Sequence, residues 1–201
     1  ADLLIGGGSS DKLLGQAGDD TLTGGLGNDT LDGNIGSDLI VESVAGDLVA
    51  TNSAMTGIGA DQLIVIERLR ITGGDANNQI DASAFSGATT LLGGSGNDTL
   101  LGGTSVDELD GGAGMDQVEG RSGNDILIRA QESPADNLNG GGGTDLLKVF
   151  IGSQFSTGVS LTDNSLYGLG NVAIQSIESA WISDNDVGRS INSHGFSGPV
   201  T

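Results

Sequence analysis

The sequence predicts an all-β solenoid, a thin stack of short strands joined by glycine-rich turns. Three observations carry that prediction. A nine-residue pattern recurs along much of the chain, an aliphatic residue holds a fixed place in it, and the composition cannot supply a thick core. Of 201 residues 37 are glycine and only 3% are aromatic. Few large side chains are left to fill a globular interior, whereas a solenoid needs only one buried aliphatic per repeat.

The pattern is clearest at Gly24-Gly25-Leu26-Gly27-Asn28-Asp29-Thr30-Leu31-Asp32, which reads Gly-Gly-x-Gly-x-Asp-x-apolar-x. Steps of nine from Asp29 land on Asp20, Asp11 and Asp2 before it, and on Asp38 and Asp47 after it. Two residues beyond these aspartates stand Leu4, Leu13, Leu22, Leu31, Ile40 and Val49. A second run holds Asp98, Asp107, Asp116 and Asp125, followed by Leu100, Leu109, Val118 and Leu127, and Asp136 and Asp145 extend it. Residues 93–101, 111–119 and 140–148 keep every glycine. Elsewhere Ser9 and Ser105 replace the fourth-position glycine, and Gln16, Asn34 and Arg121 replace the second.

Each residue type has a reason to be where it is. Glycine tolerates positive φ and lets a ligand come close to the backbone, so the first half of the repeat makes a tight turn. The three residues after the aspartate form a very short strand whose middle side chain points inward. On these residues the chain resembles the RTX, or hemolysin-type calcium-binding repeat, family. The resemblance implies a parallel β-roll in which two nonapeptides make one turn and calcium ions lie between stacked turns on each side. It also implies that each ion is held by aspartates eighteen residues apart and by backbone carbonyls. The implied pairs in the first run are Asp2 with Asp20, Asp11 with Asp29, Asp20 with Asp38, and Asp29 with Asp47. In the second they are Asp98 with Asp116, Asp107 with Asp125, Asp116 with Asp136, and Asp125 with Asp145, the last two at a spacing of twenty. The glycines carried over to the metal sites are Gly6, Gly8, Gly15, Gly24, Gly27 and Gly33 in the first run. In the second they are Gly93, Gly96, Gly102, Gly111, Gly114, Gly120, Gly140 and Gly143.

Stacked turns about 4.8 Å apart would bring paired carboxylates to roughly 5 Å. At an effective dielectric of about 20 each pair repels by roughly 3 kcal/mol. Eight such pairs together outweigh a typical folding stability of about 5–15 kcal/mol. A divalent cation is therefore expected to be a condition of folding, with its binding free energy serving as folding free energy.

Taken in order, residues 1–50 form a first repeat block and residues 51–91 a strand-rich spacer. Residues 92–150 form a second block, with Pro134 and two extra residues between Asp125 and Asp136, and residues 151–201 a second spacer. The second spacer repeats the first at an offset of 111: Gly57 and Gly59 recur as Gly168 and Gly170, Ile66-Glu67 as Ile177-Glu178, and Ile80 as Ile191. Residues 63–71 read as one strand, and the aliphatic ladder is expected to continue through Ile71, Ile80, Leu91 and Leu100. The N-terminus lacks the basic start and apolar core of a signal peptide and reads as the tail of a nonapeptide. The chain is accordingly expected to be a segment of a longer tandem array, its open ends covered by more chain or by identical neighbouring copies.

The formal charge of −20 argues against nucleic acid, whose phosphates would repel it, and against anionic membrane surfaces. No apolar run reaches the length of a membrane span, so no membrane insertion is expected. There are no cysteines, hence no disulfides. Gly-x-Ser-x-Gly and His-Glu-x-x-His are absent, and the repeat already accounts for the carboxylates, so no catalysis is expected in this chain. The matched Glu67 and Glu178 point to a role in the fold. The lone His194, the aromatic Tyr167 and Trp181, and the fragment Asp184, Asp186, Gly188 carry no sharper reading than spacer packing or surface. The functional expectation is a calcium-dependent structural module of a secreted bacterial protein, of adhesin, surface-layer or filament type, that folds after type I secretion into calcium. The alternatives are the non-catalytic RTX region of a secreted hydrolase, epimerase or toxin, and a carbohydrate-binding module.

Overall fold

The computed structural model describes residues 1–129, 135–151, 159–162, 165–167, 172–184, 191–192 and 197–201. Pro134, Gly168, Gly170, Asp186, Gly188 and His194 lie outside the described residues, as do the side chains of Tyr167 and Asp184. Among the described residues every regular element is a strand.

The first block forms β1 (Leu3–Gly7), β2 (Lys12–Leu14), β3 (Thr21–Gly25), β4 (Thr30–Asp32) and β5 (Leu39–Ser43). The first spacer adds β6 (Leu48–Thr51), β7 (Ala54–Thr56), β8 (Ala60–Ile64), β9 (Arg68–Thr72), β10 (Gln79–Ala84) and β11 (Ala88–Leu92). The second block gives β12 (Thr99–Leu101), β13 (Asp107–Asp110), β14 (Gln117–Glu119), β15 (Ile126–Arg129), β16 (Asn137–Asn139) and β17 (Leu146–Ile151). The second spacer supplies β18 (Val159–Thr162), β19 (Ser165–Tyr167), β20 (Val172–Gln175), β21 (Ser179–Asp184) and β22 (Ile191–Asn192).

Two sheets face one another. One is wholly parallel, with nine described strands in the order β1-β3-β5-β9-β11-β13-β15-β17-β21. The other has thirteen, in the order β2-β4-β8-β7-β6-β10-β12-β14-β16-β20-β19-β18-β22. The chain alternates between them, so two nonapeptides make one turn. Register follows the repeat: Leu4 pairs with Leu22 and Leu22 with Ile40 in the first sheet, and Leu13 with Leu31 in the second. Leu22, Leu31, Ile40, Leu100, Leu109 and Leu127 are all fully buried and form the single apolar column between the sheets. Period nine thus becomes burial directly, because each of these strands offers one inward aliphatic position.

The expected ladder continues through Ile71, Ile80, Leu91 and Leu100, all buried, with Ile71 opposite Leu91 and Ile80 opposite Leu100. In the nine-strand sheet β5 pairs directly with β9, whereas in the other sheet the parallel order is interrupted. From β5 the chain crosses to β6, which pairs with β10 ahead of it, then returns through antiparallel β7 to β8, which pairs with β4 behind it. The meander recurs in the second spacer with the same register 111 residues on. Leu48 opposite Ile80 becomes Val159 opposite Ile191, and Ala50 opposite Met55 becomes Leu161 opposite Leu166.

Two expectations are corrected here. Residues 63–71 are two strands, not one: the chain turns a corner after Ile64, with Val65 at φ 51°. That corner is forced because β8 and β9 belong to different sheets. Val49 is not part of the buried column. It is 43% exposed, and Leu48 and Ala50 face inward instead, because β6 takes its register from Ile80 on β10 and not from β4. The inward phase slips by one residue, which in a strand exchanges the two faces. Leu48→Ala is therefore expected to cost about 2–5 kcal/mol in denaturant unfolding of the calcium-loaded protein. Val49→Ala should cost under about 1 kcal/mol, and equal losses would contradict the assigned register.

Candidate metal centre

The functional side chains sit at the two edges of the stack, where the chain passes from one sheet to the other. At each corner the first-position glycine faces the aspartate five residues on. A Cβ on Gly24 would lie 2.6 Å from Oδ2 of Asp29, and one on Gly15 2.8 Å from Oδ2 of Asp20. The same holds for Gly6, Gly33, Gly93, Gly102, Gly111, Gly120 and Gly140, each set against Asp11, Asp38, Asp98, Asp107, Asp116, Asp125 or Asp145 in turn. The fourth-position residues Gly27, Gly96, Gly114 and Gly143 have φ between 115° and 147°. Gly8 stands in open space, so nothing near it requires glycine. Where Gln16, Asn34 and Arg121 replace the second glycine the backbone stays left-handed, at φ 67–75°. The turn is conserved in shape even where its residue is not glycine.

The aspartates form four columns. At one edge of the first block the N–H of Asp11 donates to Oδ1 of Asp29 at 2.8 Å, and the N–H of Asp29 to Oδ1 of Asp61 at 2.9 Å. At the other edge the N–H groups of Asp2, Asp20 and Asp38 donate to Asp20, Asp38 and Glu67 at 2.6–2.9 Å. In the second block one column runs Asn78, Asp98, Asp116, Asp136, at 2.7–3.1 Å per step. The other runs Thr89, Asp107, Asp125, Asp145, Glu178, at 2.7–2.9 Å. The pairs spaced by twenty residues stack like the rest.

Asp47 is the exception. It does not stack on Asp29; Asp61 does, and the exposed carboxylate of Asp47 accepts from the N–H of Gln79 instead. The meander explains the exchange, since β8 and not β6 lies beside β4. Asp61 escaped the nine-residue count because it is out of phase with Asp47, yet its signal was legible. Residues 56–64, with Gly57, Gly59, Asp61 and Leu63 in their places, are a nonapeptide in which only the first glycine is replaced, by Thr56. Gly59 bridges to Gly27 so closely that a Cβ there would collide with the Gly27 carbonyl. Glu67 and Glu178 have the structural role their matched positions suggested: each ends a column by accepting from the last aspartate's N–H. Glu42, which stands in a first-glycine place, was also missed. Its buried carboxylate accepts from the N–H groups of Gly24 and Gly25 at 2.6 and 3.2 Å.

At most steps one carboxylate oxygen takes a backbone N–H and the other is left over; Asp107 differs, its Oδ2 accepting from the N–H of Gly103 at 2.7 Å. The Oδ2 atoms of Asp20, Asp29, Asp38, Asp61, Asp98, Asp125 and Asp145 are buried without a hydrogen-bond partner. An orphaned buried carboxylate oxygen is costly, and a hard divalent cation removes that cost. Among the described residues no three acidic or imidazole side chains converge. Any ion would thus draw on one or two carboxylates and complete its shell with main-chain carbonyls, an all-oxygen set that suits calcium.

With these corners established, the comparison with known families is decisive. The model of the RTX calcium-binding nonapeptide repeat, four copies, matches residues 2–40 and 92–127. The matched stretches of both blocks are RTX repeats. No curated protein matches the chain. RTX repeats bind calcium, occur in secreted bacterial proteins, and typically form non-catalytic structural regions. In this chain the RTX geometry outruns the matched residues, since the turn at Gly140 and the step from Asp125 to Asp145 repeat it beyond residue 127.

Burial raises the carboxyls of Asp38, Asp61, Asp98, Asp107 and Asp145 above their ordinary value, with the donated N–H groups pulling the other way. Asp116 and Asp125 rise furthest, to about 6, through burial first and then neighbouring carboxylates. A raised carboxyl favours the metal-free fold only while protonated. That contribution is full below about pH 4 and is lost as pH rises through about 6. Calcium needs the carboxylate form, so its dependence has the opposite sign. Apparent calcium affinity is expected to be highest above pH 6 and to fall by about tenfold per such aspartate between pH 7 and 5. Calorimetric titration at the two pH values measures this; equal affinities would exclude these aspartates from binding.

Proposed function

We propose that this chain is a calcium-set structural module of an extracellular array, of the adhesin, surface-layer or filament type. In this reading residues 1–50 and 92–150 are the calcium blocks, and residues 51–91 and 151–201 the spacers that join successive blocks. The observation that carries it is the set of buried, partnerless Oδ2 atoms facing glycine turns in both blocks. The ligands assigned are Asp20, Asp29, Asp38, Asp61, Asp98, Asp107, Asp116, Asp125 and Asp145, with turn carbonyls. Asp2 and Asp11 stand at the first turn and Asp136 at a modified one.

Extracellular modules bind calcium at about 10⁻⁴–10⁻³ M. Such a chain stays unfolded while cytosolic calcium is scarce and sets once outside. The meander recurring at an offset of 111 residues supports a tandem architecture, in which the unit of length is a block plus a spacer.

Circular dichroism during calcium titration, with magnesium as control, tests the reading. A gain of β-signal at millimolar calcium is expected, and no gain would remove it. Asp61→Asn should weaken the calcium response by tenfold or more, whereas Asp47→Asn should leave it near wild type, because Asp61 completes the column above Asp29.

A further inference from the structure

The repeat calls for glycine at the first position of each turn, and at residue 129 it meets an arginine. Ile128 pairs with Asp110, so Arg129 stands one turn above Gly111, and it pairs in turn with Val149. The side chain does not leave for solvent. Arg129 is 1% exposed, and its Nε lies 3.5 Å from Oδ2 of Asp136, which is itself buried.

The sequence spacing is also longer at this step. Gly93 to Asp98 and Gly111 to Asp116 are steps of five, whereas Arg129 to Asp136 is a step of seven. At Gly111 a Cβ would lie 2.5 Å from Oδ2 of Asp116, so a turn of ordinary length has no space for an arginine to begin. The spacing slip and the arginine are therefore one adaptation.

Asp136 accepts from the N–H of Asp116 at 3.1 Å, and the carboxylates of Asp110 and Asp116 are its electrostatic neighbours. A guanidinium placed against this group is a positive charge that needs no loading and keeps its proton at any ordinary pH. We infer that the Arg129 guanidinium is the resident cation of the Asp116–Asp136 step, and that this step takes no calcium. The inference rests on the RTX reading and refines it: of the two steps in this column that the repeat count would fill with metal, one is filled by the chain itself.

The test is the number of calcium ions bound to the folded protein, counted by native mass spectrometry and by equilibrium dialysis. R129G is expected to bind one ion more than wild type and R129K the same number. D136N is expected to match wild type, because the carboxylate it removes holds no metal. The inference is overturned if R129G, showing a calcium-induced β-signal, binds the wild-type number, or if D136N binds one ion fewer. Should R129G fail to develop that signal, the D136N count decides. A wild-type protein that binds no calcium would instead remove the RTX reading on which the inference stands, a result distinct from either count.

Discussion

The structure depends on how one carboxylate is shared. Most ladder aspartates spend one oxygen on the N–H of the turn beneath and keep the other buried against glycine. The first bond fixes the spacing of successive turns. The second oxygen can be neither solvated nor left alone, so the same contact that stacks the turns also creates the demand for a cation. Turn stacking and the demand for an ion consequently arise from one contact, beside the apolar column between the sheets.

Where the chain departs from the repeat, it answers that demand by other means. Glu67 and Glu178 close columns with a longer side chain that reaches from the corner just before β9 and β21. Glu42 turns its carboxylate inward to two glycine N–H groups. Arg129 brings a positive charge of its own to Asp136. All occupy ends or irregular steps, where the stack would otherwise finish on unmatched donors or acceptors.

Most of the ladder was legible because period nine fixes phase, side and partner together. The columns through Asp20, Asp38, Asp98 and Asp116 are those the count names, and Asp136 and Asp145 stay in line despite two added residues. What the count could not reveal is a change of direction. Asp47 keeps its phase in the sequence but leaves its column, because β6 runs ahead to β10 and a hairpin brings Asp61 back into the vacated place. A hairpin alters which strands are neighbours without disturbing local spacing, so Val49 and the apolar run at 63–71 were misplaced for the same reason. The Gly57-x-Gly59-x-Asp61 sequence carried the missing information, hidden by its being out of step with the aspartates before it.

Sheets of unequal strand number have a geometric consequence. Among the described residues thirteen strands oppose nine, and the difference of four enters as two at each meander, giving one wall about 19 Å more contour than the other at 4.8 Å per strand. The extra length must be taken up where it enters, at the hairpins β6 to β8 and β18 to β20, so these two places are where the walls stop matching strand for strand.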